Sequence, residues 1–289
     1  MSEFIQLTVY GLANGAVLAL AALGFVLIYK ATSVINFAQG ELLLVGAYLF
    51  YTAFVILRLP LVLAVVAGVA AAAVLGVTIE RLVLRPLIGE SPIAVIMVTI
   101  GLAAVLKAVV QMYYGTAPQP MPKVLPAGSV SIAGAPVPLD RLLAVGIAAV
   151  VLTAFTVFFR WSRHGIAMRA VADDQQAALV QGISVRRVFA MAWALAAVSA
   201  LIAGILLADI AGVSQHLASF GLVVFPVVIL GGLDSVPGTI VGGVVIGLVS
   251  QYAEGFSAGA SQVVPYIVLV LILLLRPYGL FGQVRIERV

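Results

Sequence analysis

The sequence predicts an all-α integral membrane protein: a polytopic helical bundle of about 8–9 transmembrane helices, with the N-terminus outside and the C-terminus inside. Three observations carry this expectation. The 289 residues are 64% hydrophobic and only 9% charged, with a mean hydropathy of +1.24, whereas soluble domains are about half apolar and about a quarter charged. Ionisable residues are spaced so widely that helices of about 20 residues, the length needed to cross hydrocarbon, fit between them. Basic residues gather at a few boundaries between those runs. Such a chain lacks the charge to cover a water-facing surface, so a soluble enzyme is excluded.

The runs, in order, are Phe4–Tyr29, Leu42–Leu57, Leu59–Ile79, Pro92–Tyr113, Leu142–Phe159, Val188–Ala208, Ile210–Leu233, Ser235–Ala253 and Gly255–Leu275. The second is short, and Lys107 interrupts the fourth. Cytoplasmic loops retain Lys and Arg. Of the 15 basic residues, all but Arg58, Lys107, Lys123 and Arg141 lie at Lys30, in Glu80–Ser91, in Arg160–Arg187 or after Leu275, where the tail carries Arg276, Arg285 and Arg288. These places share the inner side if the chain starts outside and each run crosses once. Parity then requires residues 220–254 to cross twice, turning inside at Gly232-Leu233-Asp234-Ser235-Val236-Pro237. Each arm is short, which leaves a re-entrant half-helix open for one of them. An acid stands where a signal peptide needs bases, in Met1-Ser2-Glu3-Phe4, so the first span is expected to be retained.

Small residues four apart bring helix backbones together in lipid. Gly11–Gly15, Ala64–Gly68, Gly238–Gly242 and Gly243–Gly247 have that spacing, and their frequency predicts a tightly packed bundle. Residues 114–140 hold Pro118, Pro120, Pro122, Pro126, Pro136 and Pro138, which forbid a helix. This external loop is expected to form a small hairpin around Val130-Ser131-Ile132 and Gly134, and offers a docking surface for an external partner. Four polar residues are candidates for a translocation path. Asn14 lies mid-span, as either an interhelical hydrogen bond or a pore-lining group. Asn36, Gln39 and Glu41 stand between the first two spans, where the chain is either an ordinary turn or a broken helix lining a cavity. Lys107 lies about 9 Å from the outer end of its span at the helical rise, within reach of a snorkelling side chain.

The segment 160–187 is the largest cytoplasmic piece. Asp173 followed by Gln176 reads as a capping box, and Gly182 stands where a helix-terminating glycine belongs. The predicted product is a helix of about two turns, roughly 12 Å long, too short to cross anything. Its centre, Ala177-Ala178-Leu179-Val180, is small and apolar. Asp173, Asp174, Gln176, Ala177, Ala178, Leu179 and Gly182 therefore form a candidate coupling helix suited to a groove in another protein, or else a helix resting on lipid.

Several chemistries are missing. There is no cysteine, and the 2 histidines, His164 and His216, stand far apart, so no metal cluster, catalytic residue or cofactor is expected. No Gly-x-x-x-x-Gly-Lys loop is present to cradle a nucleotide. Ion-coupled carriers keep ionisable residues within their spans, and here only Lys107 and Glu41 approach that position. The net charge of +4 is sorted by location, not gathered into a nucleic-acid patch. The chain has a path and no engine.

A resemblance runs through nearly the whole chain. Gly15-Ala16-Val17-Leu18-Ala19-Leu20, Asn36-Phe37-Ala38-Gln39-Gly40-Glu41, Glu80-Arg81-Leu82-Val83-Leu84-Arg85-Pro86 and Gly165-Ile166-Ala167-Met168-Arg169-Ala170 carry it. So do Leu230-Gly231-Gly232-Leu233-Asp234-Ser235-Val236-Pro237-Gly238 and Arg276-Pro277-Tyr278-Gly279-Leu280-Phe281-Gly282. Together they resemble the permease subunits of branched-chain amino acid ABC importers, of the smaller LivH type. Gln176-Ala177-Ala178 with Gly182 is similar to the Glu-Ala-Ala-x-x-x-Gly loop that import permeases insert into their ATPase, with glutamine replacing the acid. The resemblance implies a single permease domain over 1–289 in a bacterial inner membrane, without an ATPase site of its own. It also implies partners: a second, LivM-type permease, two cytoplasmic ABC ATPases, an external substrate-binding protein and membrane lipid. Related importers carry urea, short amides or aromatic acids, which stay open as substrates. A stand-alone channel, a secondary carrier and a membrane scaffold are the other classes left open.

Overall fold

The structure is a computed structural model and describes residues 2–132 and 134–282. Arg285 and Arg288, part of the basic tail, lie outside the described residues. α1 (Ser2–Thr32) is followed by α2 (Gln39–Tyr51), which runs on as a π-helical turn to Ile56. Next is α3 (Leu61–Ile79), extended through Leu87 by a π-helical and a 3-10 turn. Then come α4 (Pro92–Tyr114), the strands β1 (Ser129–Ile132) and β2 (Ala135–Pro138), and α5 (Leu139–Trp161). The short α6 (Arg163–Asp173) and α7 (Gln175–Val180) lead into α8 (Val185–Ala211). A 3-10 turn at Gln215–Ser219 opens α9 (Phe220–Gly231), and α10 (Val236–Phe256) and α11 (Val264–Leu275) follow.

Seven of these helical stretches are long and apolar enough to cross a bilayer, and Gln215–Gly231 and Ala260–Leu275 are shorter apolar helices. Within 220–254 the short arm is α9, while α10 has full length. The charge-free run Ile210–Leu233 hid this inequality, because Gly212 takes a left-handed φ of 79° and ends α8 inside the run. The chain turns at Gly232–Ser235, as expected, and Ser235 Oγ caps α10 by accepting from Gly238 N at 3.0 Å.

α1 and α8 form the buried centre, with α2 packed on α8, while α3, α4 and α5 turn most of their surface outward. Their outward residues include Val62, Val66, Ile93, Met97 and Val150, the apolar face that lipid demands. The glycine spacing fulfils its promise where α1 crosses α10. A Cβ on Gly15 would stand 2.5 Å from Gly243 O, and one on Gly247 would stand 2.4 Å from Gly11 O. The two backbones touch, and only hydrogen fits between them.

The bundle has two distinct ends. At one, the strands pair antiparallel from Ser129↔Pro138 to Ile132↔Ala135, and Gln6 Nε2 donates to Pro136 O at 3.0 Å. This hairpin end also gathers Thr8 and Tyr252, whose hydroxyls lie 2.7 Å apart. At the opposite end, Lys30, Arg160 and Arg169 converge on a cavity beside Asp234. Two motifs distant in sequence also meet there: Leu280 N and Phe281 N donate to Leu230 O and Gly231 O, at 2.8 and 3.1 Å.

Gly15→Val tests the α1–α10 contact. Forcing a side chain into it is expected to cost about 1–3 kcal/mol, seen as a lower unfolding temperature of the detergent-solubilised protein, whereas Gly101→Val, at a position with open space, leaves it much less affected.

Candidate functional site

The helical path is interrupted between α1 and α2, at residues 33–38, inside the bundle. Free backbone groups at such depth require partners; Asn36 and Thr99 supply them, while Gln39 ties the start of α2 to α1. Asn36 Oδ1 accepts from Ala38 N at 3.0 Å, and Gln39 Nε2 donates to Ala21 O at 3.0 Å. Thr99 Oγ1, from α4, accepts from Phe37 N at 3.3 Å. Asn36, Gln39 and Thr99 are fully buried. Asn36 and Gln39 thus hold the break closed, and their amides bond each other at 3.3 Å.

The structure separates Asn14 from this group. Its Nδ2 donates to Gln251 Oε1 at 3.2 Å, and its Oδ1 accepts from Arg141 Nη1 at 3.0 Å. Asn14 ties α1 to α10 and α5. Glu41 faces open space. It lines a cavity of about 340 Å³ together with Lys107, Gln215 and His216. The chain breaks a second time at the wall of that cavity, in the 3-10 turn before α9. The breaks touch where a Cβ on Gly221 would lie 2.3 Å from Gly40 Cα. Spacing along single helices could not reveal this meeting, because it depends on how both breaks fold back.

α7 corrects the predicted cap by one residue. Asp173 ends α6, and Asp174 is the N-cap: its φ and ψ of −154° and 111° are extended. Asp174 Oδ1 accepts from Gln176 N and Ala177 N at 2.8 and 2.9 Å. Adjacent aspartates left the sequence ambiguous, and the length of α6 decides between them. Gly182 terminates α7 with a φ of 80°, while Ile183 N and Gly182 N donate to Ala178 O and Leu179 O at 2.9 and 3.0 Å, the Schellman pattern. The apolar waist is split. Ala178 is buried within this chain, whereas Leu179 and Val180 are 56% and 86% exposed. Ala178 thus seats the helix, and Ala177, Leu179 and Val180 form its outward face. Gln175, the first residue of α7, lines a second cavity with Ser33, Ile35, Glu80 and Arg85. There Arg85 grips buried Glu80 through two bonds of 3.1 and 2.6 Å.

At the hairpin end, Asp209 anchors the proline-rich loop, a role the sequence did not reveal. Its Oδ1 accepts from Val124 N and Leu125 N at 2.6 and 3.2 Å, and Lys123 Nζ lies 3.3 Å from Asp140 Oδ2 and 3.9 Å from Asp209 Oδ2. Gln119 and Val213 form an isolated antiparallel bridge beside it.

The family model described as "Branched-chain amino acid transport system / permease component" matches residues 7–273. The permease protein BraD of the high-affinity branched-chain amino acid transport system of Pseudomonas aeruginosa is 30% identical, over 99% of this chain and 98% of that protein. The corresponding LivH of Escherichia coli K12 is 29% identical, over 99% and 98%. The solved PsaBC of Streptococcus pneumoniae in complex with Fab reaches a TM-score of 0.47 at 14% identity, covering 94% of this chain and 90% of that one, too remote to carry an inference.

Asp174→Ala is expected to fray α7, since losing an N-cap costs about 0.5–2 kcal/mol. Amide hydrogen exchange over residues 175–180 should quicken in that variant and stay unchanged in Asp173→Ala.

Proposed function

The chain belongs to the family of branched-chain amino acid transport system permease components, and from that premise we propose that it is the membrane-spanning subunit of an ATP-driven importer of branched-chain amino acids. It pairs with a second, LivM-type permease to form the translocation path, docks on two cytoplasmic ABC ATPases, and receives substrate from an external binding protein. The hairpin end faces outward and the α7 end faces the cytoplasm of a bacterial inner membrane. Lys30, Arg160 and Arg169 at the α7 end support that orientation, because positive residues stay inside. The subunit contributes no nucleotide site. The work of transport comes from its ATPases, whose closure moves α7 and tilts the bundle between inward and outward states.

The observation that carries this function is α7. A helix this short, capped at both ends and showing Leu179 and Val180 to its surroundings, is shaped to enter a groove in another protein. The anchored loop at Asp209 supports the docking of a binding protein at the other end, since it presents a fixed surface.

Leu179→Glu and Val180→Glu place charges on the docking face, where both side chains are mostly exposed, so the subunit's own stability should change by no more than about 0.5 kcal/mol. Leucine uptake and ATP hydrolysis stimulated by the binding protein should both fall about tenfold or more, as when a buried interface contact worth over 1.4 kcal/mol is lost. Undiminished uptake in either variant overturns the coupling role. In the wild-type importer, isoleucine and valine should compete with leucine, and urea and aromatic acids should not.

A further inference from the structure

The cavity beside the two breaks carries more charge than a passage for apolar solutes needs. Lys107 lies seven residues from the hairpin end of α4 and fifteen from its start, about 10 and 22 Å at the helical rise. Its side chain is exposed in the single subunit, and that of Glu41 partly so. Among the described residues neither forms an ion pair within 4.0 Å, and the Glu41 carboxylate bonds only its own backbone. Both polar atoms of the Gln215 amide are buried without a partner. Charges at this depth are too costly to face lipid and mark substrate pathways.

Opposite charges held apart on one wall match a zwitterion. We propose that this cavity binds the free amino acid in transit: Lys107 holds its α-carboxylate, and Glu41 with the Gln215 carbonyl oxygen holds its α-ammonium. The first turn of α2 assists the carboxylate. Its N-cap, Ala38, has no capping side chain, so the Gln39 and Gly40 amides are left uncapped, and Gly40 lies on the cavity wall. The apolar share of the wall comes from Phe37, Leu222 and Phe225, which suits an aliphatic side chain. At about 340 Å³ the space falls at the lower end of the range for small-molecule sites. Lys107 thus stays at mid-depth with Glu41 and does not reach for the outer surface. The site rests on the function proposed above and adds the residues that read the backbone of the amino acid.

The complete importer, reconstituted in proteoliposomes with its ATPases and binding protein, tests the site with radiolabelled L-leucine. Lys107→Met and Glu41→Gln should each lower uptake about tenfold to a hundredfold, the range for losing a hydrogen bond to a charged group. ATP hydrolysis stimulated by the binding protein should persist, and Lys107→Arg should recover most of the uptake. Unchanged uptake in Lys107→Met and Glu41→Gln overturns the site. So does failure of these variants to co-purify with the other subunits, which assigns the charges to assembly. A wild-type complex that imports no leucine overturns the proposed function instead.

Discussion

Backbone groups inside a bilayer have no water to fall back on, and that constraint shapes the centre of this molecule. The chain gives up regular helix twice within the bundle, and each interruption exposes amides and carbonyls that must be answered. Asn36 and Thr99 answer for the first, from the break itself and from α4, and Gln39 pins the start of α2 to α1. The second interruption is braced at Val213 by Gln119 of the proline-rich loop. Once those bonds are in place, the leading turn of α2 is fixed against the 3-10 turn before α9, with glycine on both sides because nothing larger fits. The cavity at Glu41 is a by-product of this arrangement: it is the space left where two helices start late.

Close backbone packing follows the same logic. With no hydrophobic force between helices in lipid, association relies on van der Waals contact and on hydrogen bonds across the interface. α8 illustrates both. Ser199 Oγ donates to Leu20 O of α1, and Gly46 and Gly204 let α2 lie directly on α8 near Leu201 and Leu43. Gly76 lets α3 press on Trp193 O in the same way. These contacts hold α8 between three neighbours along most of its length.

The features legible in the sequence were local ones. Charge-free runs located the seven helices long enough to span, though not the shortness of the helices in Ile210–Leu233 and Gly255–Leu275; prolines kept residues 115–138 out of helix, and Gly182 marked the end of α7, because each depends on neighbours within a few residues. The Gly15 and Gly247 contact was legible as a spacing, though not as a pairing of α1 with α10. What escaped was whatever requires two distant segments to meet. The depth of Lys107 along α4 said nothing of Glu41, whose position depends on the break at 33–38. Asn14 was polar and mid-span, yet its bonding to Gln251 and Arg141 depends on where α10 and α5 pass. Which side of a two-turn helix faces in is likewise beyond a pattern of four apolar residues, so Ala178 and Val180 looked alike in sequence and differ in burial.

The outward face of α7 and the charged cavity belong to different elements, and α8 links them. Ala178 seats α7 in the bundle, and Ile183 N bonds to Ala178 O immediately before α8 begins. α8 then runs 27 residues, about 40 Å, to Asp209 at the hairpin end, passing α1 and α2 on the way. A Cβ on Gly24 of α1 would stand 2.4 Å from Gln39 Nε2 and 2.9 Å from Ala196 O of α8, so α8 touches α1 at the same level as the side chain that closes the first break. Interiors packed this tightly do not deform smoothly; they pass between discrete arrangements. A displacement of α7 large enough to move α8 must therefore either break the contacts around Gln39 or carry the first turn of α2 with it, and with that turn goes Glu41.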